Sequence, residues 1–240
     1  MKPPIRYLYS GGQGEIEEKR SRFIATLAPV TTEDEAAAFI EAQKKRYWDA
    51  RHNCQAMVIG ANNELTRCSD DGEPPHTAGR PMLDVLLHEE IHDACVVVTR
   101  YFGGILLGTG GLTRAYREAV QAGLANCVIA TRQQAVPVTV RTDYNGIGKI
   151  LYRVAEAGYV NVSTDYADLV TAVWLVPQEE CSAFLASVND ATQGKAEVAF
   201  ADPVWYSEAN GKLLLPPLSC CARLFYARFS GLFTNCCGNC

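Results

Sequence analysis

Apolar positions along this 240-residue chain switch repeatedly between a period of two and a period near 3.6, which predicts an α+β protein. Residues 15–28 (E-I-E-E-K-R-S-R-F-I-A-T-L-A) end in a strand-like run. Thr32, Glu33, Asp34 and Glu35 then form a capping box that opens a helix through about Tyr47, with Ala36, Phe39, Ile40 and Gln43 on its inner face. Residues 52–60 read as a strand, and 65–69 as its hairpin partner. Pro81 fits a first helical position and starts a short helix through Leu87. Residues 94–102 (A-C-V-V-V-T-R-Y-F) are β-branched and apolar enough for a buried strand. From Leu112 on, Ala115, Tyr116, Ala119, Val120 and Leu124 repeat at the spacing of one helical face. The order so far is β-α-β-β-α-β-α, closing near Ala130.

Residues 133–137 look like a linker. Beyond them the pattern predicts a strand at 138–142, a helix at 144–157, strands at 159–166 and 169–176, a helix at 178–188 and a strand at 196–205. That β-α-β-β-α-β order is the ferredoxin-like split unit. In its third strand Val170, Ala172, Trp174 and Val176 line one face by alternation. The expected organisation is one domain over residues 1–132, a second over 137–206, and a Cys-rich tail over 207–240.

Two segments carry candidate chemistry. Residues 69–83, S-D-D-G-E-P-P-H-T-A-G-R-P-M-L, form a polar loop too long and too charged for a plain connector. Residues 100–116, R-Y-F-G-G-I-L-L-G-T-G-G-L-T-R-A-Y, place five glycines within nine positions, between a strand and a helix. Backbone N–H groups in such a loop can converge on an anion. Neither nucleotide fingerprint is met. Thr113 stands where G-x-G-x-x-G needs its third glycine, and no lysine follows Gly108 as a P-loop requires. The composition leaves open a phosphate or carboxylate cradle and a tight turn that merely packs strand on helix. Arg114, read as lying in the first helical turn, is disfavoured there by the macrodipole. Either a bound anion or a salt bridge to Asp70, Asp71 or Glu73 relieves it.

Composition narrows the function classes. The net charge is −5, and neither half of the chain is basic, so bulk charge does not drive nucleic-acid binding; any such binding needs a local patch. No apolar run reaches the ~20 residues of a membrane span, and the start lacks a signal-peptide core, which predicts a cytoplasmic protein. His88-Glu89-Glu90-Ile91-His92 is a literal H-E-x-x-H, but the strand beginning at Ala94 leaves no room for the continuous helix that zinc proteases need. Ser69, Asp70 and His76 are hydrolase residue types without a nucleophile elbow. Cys54, beside His52, reads as a core thiol rather than an activated one. Of the ten cysteines, Cys220, Cys221, Cys236, Cys237 and Cys240 crowd the tail with only one C-x-x-C, a poor zinc spacing. The sequence predicts no metal and no cofactor.

Ala50-Arg51-His52, the loop at 69–83 and the glycine run at 100–116 together resemble the signature of the IMPACT family, in its bacterial YigZ-like branch. The resemblance covers about residues 15–206. It implies an N-terminal domain with the ribosomal-protein-S5-domain-2-like fold of domain IV of elongation factor G. A C-terminal domain similar to that factor's domain V is implied as well. Eukaryotic members of the family regulate translation in the amino-acid starvation response. The expectation is therefore a non-enzymatic regulator of translation whose partners are the ribosome, RNA or a translation-regulatory protein. Its surface would be built by Arg51, His52, Asp70, Asp71, Glu73, Arg80, Arg100, Gly103, Gly104, Gly108, Gly110, Gly111 and Arg114. Glycines would shape the loop, arginines would meet phosphate and acids would orient the arginines. The first domain's fold is shared with small-molecule kinases, so the alternative is an enzyme or binder for a small phosphorylated ligand at the same loop.

Overall fold

The computed structural model describes residues 4–209 and 212–214. The cysteines of the tail lie outside the described residues. Two compact units divide the chain between Thr131 and Arg132. Each is α+β.

The first unit is built on a five-stranded antiparallel sheet in the order β2-β3-β6-β4-β5, formed by β2 (Gly12–Glu18), β3 (Ser21–Pro29), β4 (His52–Ile59), β5 (Leu65–Ser69) and β6 (Ala94–Tyr101). Both faces are covered, which is why the β6 pattern is continuously apolar rather than alternating. Phe23, Ala25, Leu27, Cys54, Ala56, Val58, Val96 and Val98 face α2 (Gly79–His88) and α3 (Gly108–Leu124). The alternate residues Met57, Ile59, Cys95 and Val97 pack on Ala36 and Ile40 of α1 (Glu33–Arg46). The capping box closes as predicted at one end: Thr32 Oγ1 accepts the Glu35 N–H at 3.2 Å. The Glu35 carboxylate, however, takes the N–H and hydroxyl of Thr31 rather than of Thr32.

Several expectations need correction. The strand expected at the end of the 15–28 run is present as β3, but the run begins in a second strand, β2, joined to it by a two-residue turn with Lys19 and Arg20 both at positive φ (46° and 66°), and a further strand β1 (Ile5–Ser10) precedes them. Helix α2 starts at Gly79, so Pro81 is its third residue. Gly79 is required there, since a Cβ would sit within 3 Å of the Ser69 backbone. Helix α3 starts at Gly108, four residues before the apolar periodicity. Gly108, at φ 69°, opens the helix in a left-handed conformation that favours glycine, and Gly110 and Gly111 lie in its first turn rather than in a loop. Burial of Leu112, Ala115 and Tyr116 outweighs the poor helix propensity of glycine, roughly 1 kcal/mol per residue. Arg114 consequently lies in the second turn, where macrodipole repulsion has faded. His88 is the last residue of α2 and His92 follows a turn, its Nδ1 3.1 Å from the Gly60 carbonyl, so the two histidines share no helical face. Among the described residues no group of three or more His, Cys, Asp or Glu is placed to hold a metal ion.

The second unit matches the predicted order. Strands β7 (Val128–Thr142), β8 (Val160–Tyr166), β9 (Val170–Val176) and β10 (Glu197–Phe200) pair antiparallel as β10-β7-β9-β8, the arrangement of a split β-α-β unit. Helices α4 (Tyr144–Ala157) and α5 (Cys181–Thr192) cover the face bearing Val170, Ala172, Trp174 and Val176. Asp143 caps α4 through the Gly146 N–H at 2.7 Å, and Gly158, at φ 73°, ends it. The stretch read as a linker is strand: residues 133–137 belong to the 15-residue β7. The single strand expected at 196–205 is two, β10 and β11 (Val204–Ala209). β11 pairs with β7 and carries β12 (Lys212–Leu214) on its other edge. Among the described residues no helix is long and apolar enough to cross a membrane.

Candidate functional site

The polar loop between β5 and α2 is held by one carboxylate. Asp70 Oδ1 accepts the N–H groups of Ala78 (3.0 Å) and Gly79 (2.8 Å), and its Oδ2 accepts that of His76 (2.8 Å). Burial works against its charge, but these three N–H donors outweigh burial and hold the Asp70 carboxyl below its usual range. Asp71 follows at φ 41° and reaches the other way. Its Oδ2 accepts the Asn53 N–H at 2.7 Å, its Oδ1 pairs with Lys44 at 3.3 Å, and its carbonyl lies 2.9 Å from His52 Nδ1. The loop is thereby tied to α1, to β4 and to the start of α2.

Below the loop runs a buried polar chain drawn from four elements. Cys54 of β4 donates to Tyr116 of α3 (3.3 Å), and Tyr116 donates to Glu73 Oε1 (2.9 Å). Arg100 of β6 donates to the same oxygen at 2.6 Å. The Glu73 and Arg100 side chains are only 3 % and 7 % exposed. The guanidinium also lies over the rings of Phe23 (5.4 Å) and Phe102 (5.6 Å), a cation–π arrangement. Desolvation, reinforced by Cys54 and Glu73, pushes the Tyr116 phenol far above its ordinary range. Burial likewise raises the Cys54 thiol well beyond a reactive value. Neither group supplies a base or nucleophile at neutral pH.

The expected surface therefore separates into parts. Arg100 and Glu73 are interior, so Arg100 does not meet an external phosphate. Of the acids, only Glu73 orients an arginine from that set; Asp70 binds backbone, and Asp71 binds backbone and Lys44. Arg80 turns to Asp84 at 2.8 Å, and Arg117 approaches the same carboxylate at 3.7 Å. Arg51 and Arg114 are exposed and make no ion pair among the described residues, so the expected bridge from Arg114 to the acidic run does not form. Gly103 abuts the Arg20 backbone, where a Cβ would lie 2.1 Å from the carbonyl carbon, and its N–H donates to Ser21 Oγ at 3.1 Å. Gly104, at φ 84°, is open to solvent.

The loop and α3 do meet. Pro75, His76 and Thr77 face Thr109, Thr113 and Arg114 across an open cleft of about 690 Å³ that also includes Gly110 and Arg117. Helix α3 has no side-chain N-cap, and Thr109 and Gly110 of its first turn line this cleft.

Comparison with known proteins extends the picture over both units. The chain matches the Impact N-terminal domain over residues 19–124 and a domain of unknown function, DUF1949, over 140–195. It is 40% identical over 198 residues to the IMPACT family member YvyE of Bacillus subtilis (strain 168), covering 82% of this chain and 91% of that one. The chain belongs to the IMPACT family. A second relative, IMPACT family member YigZ of Escherichia coli (strain K12), is 34% identical over 76% of this chain and 91% of its own. A crystal structure of a hypothetical protein aligns at a TM-score of 0.53 and 31% identity, covering 84% of this chain and 99% of that one. The loop at 69–83 and the start of α3, which share the cleft, both lie within the residues matched to the Impact N-terminal domain.

Sequence reasoning missed two features. One is the extension of the Glu73–Arg100 pairing through Tyr116 to Cys54, residues that the sequence presents only as core positions. The other is the run K-K-R-Y-W-D-A-R at 44–51, which ends α1 and the turn after it and sets cations on both sides of two aromatics.

Proposed function

We propose that this protein is a non-enzymatic, cytoplasmic regulator of translation that acts by contacting the ribosome, RNA or a translation factor, in the setting of stress or amino-acid starvation. The observation that carries this reading is family membership extending through both units in one order, Impact N-terminal domain and then DUF1949. The signature residues support it in chemical terms. The hydroxyl and thiol deepest in the site are held protonated in a structural network, while Arg51 and Arg114 stay exposed. Co-sedimentation of the full chain with ribosomes is the test. The chain is expected in the ribosomal fraction at ~50 mM salt and to be released progressively toward ~200 mM, as phosphate contacts weaken. A chain that stays at the top of the gradient at every salt concentration, and leaves the rate of cell-free translation unchanged, overturns the reading.

The cleft favours a second reading. Arg114, Arg117 and the uncapped first turn of α3 suit a small phosphorylated ligand. A thermal-shift screen with nucleotides and sugar phosphates decides it. Ligand at 100 times its Kd stabilises by about 2.7 kcal/mol. A shift that vanishes in Arg114→Ala supports this ligand, and a flat screen rejects it.

A further inference from the structure

The end of α1 breaks the charge pattern of the chain. The molecule carries −5 overall, yet residues 44–51 hold Lys44, Lys45, Arg46 and Arg51 against the single carboxylate of Asp49. Lys44 is engaged by Asp71, and Asp49 accepts the Tyr101 hydroxyl at 2.8 Å. Lys45, Arg46 and Arg51 are exposed and make no ion pair among the described residues. Among them stands Trp48, 82 % exposed, far more than any other tryptophan of the chain: Trp205 is 37 % exposed and Trp174 is fully buried.

The turn bearing Trp48 is fixed even though its indole is free. The Tyr47 N–H closes onto the Gln43 carbonyl at 2.9 Å, and the Ala50 N–H onto the Tyr47 carbonyl at 3.0 Å. The Tyr47 hydroxyl accepts from Gln13 at 3.0 Å, and Asp49 ties the turn to β6. Arg46 lies over the Tyr47 ring, 5.2 Å from its centroid, which sets the guanidinium beside the indole-bearing turn. A solvent-facing indole carried on a fixed turn, in a run with unpaired cations, is an arrangement suited to unstacked nucleotides, with the ring stacking on a base while the cations follow the backbone. A protein partner would need aliphatic surface to bury. Within residues 44–51 Tyr47 and Asp49 are committed to fixing the turn, and the others are charged apart from half-buried Ala50, which favours a polyanion over an apolar partner at this run.

We infer that Trp48, with Lys45, Arg46 and Arg51, is a binding platform for single-stranded RNA. The inference rests on the proposed role in translation and names the chemistry of its contact. It places that contact at the end of α1 rather than in the cleft at α3.

The test is anisotropy titration of a labelled oligouridine into the full chain over a range of salt. Trp48→Ala is expected to weaken binding at least about 10-fold, whereas Trp48→Phe, which keeps a stacking face, retains most of the affinity. Arg51→Ala and Lys45→Ala each flatten the logarithmic salt dependence by about 0.7. An RNA duplex of equal length is expected to bind more weakly, because its bases are already stacked. Three results overturn the inference: no binding of oligouridine at ~50 mM salt, unchanged affinity in Trp48→Ala, or equal affinity for the duplex. Ribosome association untouched by Trp48→Ala also overturns it, while leaving the proposed function standing. Oligouridine binding through Trp48 in a chain that never sediments with ribosomes and leaves the rate of cell-free translation unchanged sustains it and removes the proposed role in translation instead.

Discussion

Replacement of Glu73 by alanine is expected to remove about 3–5 kcal/mol of stability from the first unit, the cost of breaking a buried ion pair from one side. The magnitude follows from what remains. Arg100 would keep its charge at a position only 7 % exposed, and its Nε already has no hydrogen-bond partner among the described residues. The rings of Phe23 and Phe102 attract the guanidinium but supply no anion. The Tyr116 hydroxyl would lose its acceptor at the same time. The converse substitution separates an unpaired charge from loss of packing. In Glu73→Leu combined with Arg100→Met and Tyr116→Phe, the polar chain is replaced by apolar groups of similar size. That triple variant is expected to recover most of the loss, since buried pairs replaced as a whole are often neutral. Urea unfolding followed by far-ultraviolet circular dichroism measures both, because Trp48 is too exposed to report on the interior of this unit. A Glu73→Ala variant within about 1 kcal/mol of the parent would mean that water reaches and solvates Arg100, and the account of a desolvated pair would be wrong.

This network also marks the limit of what the residues disclose in order. Where the governing contact is local, the sequence is legible: T-E-D-E caps α1, Asp143 caps α4, and alternation in β9 picks out the face that meets α4 and α5. Where tertiary packing decides, it is not. Lys19 and Arg20 adopt positive φ without a glycine or asparagine to announce the turn, because the strands on either side dictate a two-residue hairpin. Past Gly108, which opens the segment at φ 69°, the T-G-G run has the composition of a loop and the conformation of a helix, because the face that follows it is buried against the sheet. The segment 133–137 carries a proline and two glutamines yet lies inside a long strand. The signature residues themselves were visible, but their roles depended on which of them the topology buries. Cys54, Glu73, Arg100 and Tyr116 are spread over 62 positions and meet only because β4, β6 and α3 stack beneath one loop. Arg51 and Arg114, from the same motifs, end up outside.

Asp70→Asn is expected to cost about 2–3 kcal/mol at neutral pH and to loosen the loop at 69–83, a consequence of losing a charged acceptor for three backbone donors. Asparagine preserves the size of the side chain but not its bonding. One of its two terminal atoms is an amide nitrogen, which would face a donor N–H, either that of His76 or those of Ala78 and Gly79. The start of α2 suffers directly, since the helix has no side-chain cap at Ala78 and relies on Asp70 for its first N–H groups. The pH dependence gives an independent check. The folded state holds the Asp70 carboxyl below its ordinary range, so its contribution is fully present above the unfolded value near ~3.9 and is lost as pH falls through the folded value. The gap in stability between the parent and Asp70→Asn should accordingly be constant from neutral pH down to about 5, then narrow in more acidic solution. Unfolding measured at stepped pH resolves this. A gap that stays constant through the acid limb would show that the asparagine acts by steric misfit and that the Asp70 charge contributes nothing to holding the loop. Because His76 and Thr77 form one wall of the cleft at α3, the same variant is expected to blunt any phosphate-dependent thermal shift while leaving the platform at Trp48 unchanged.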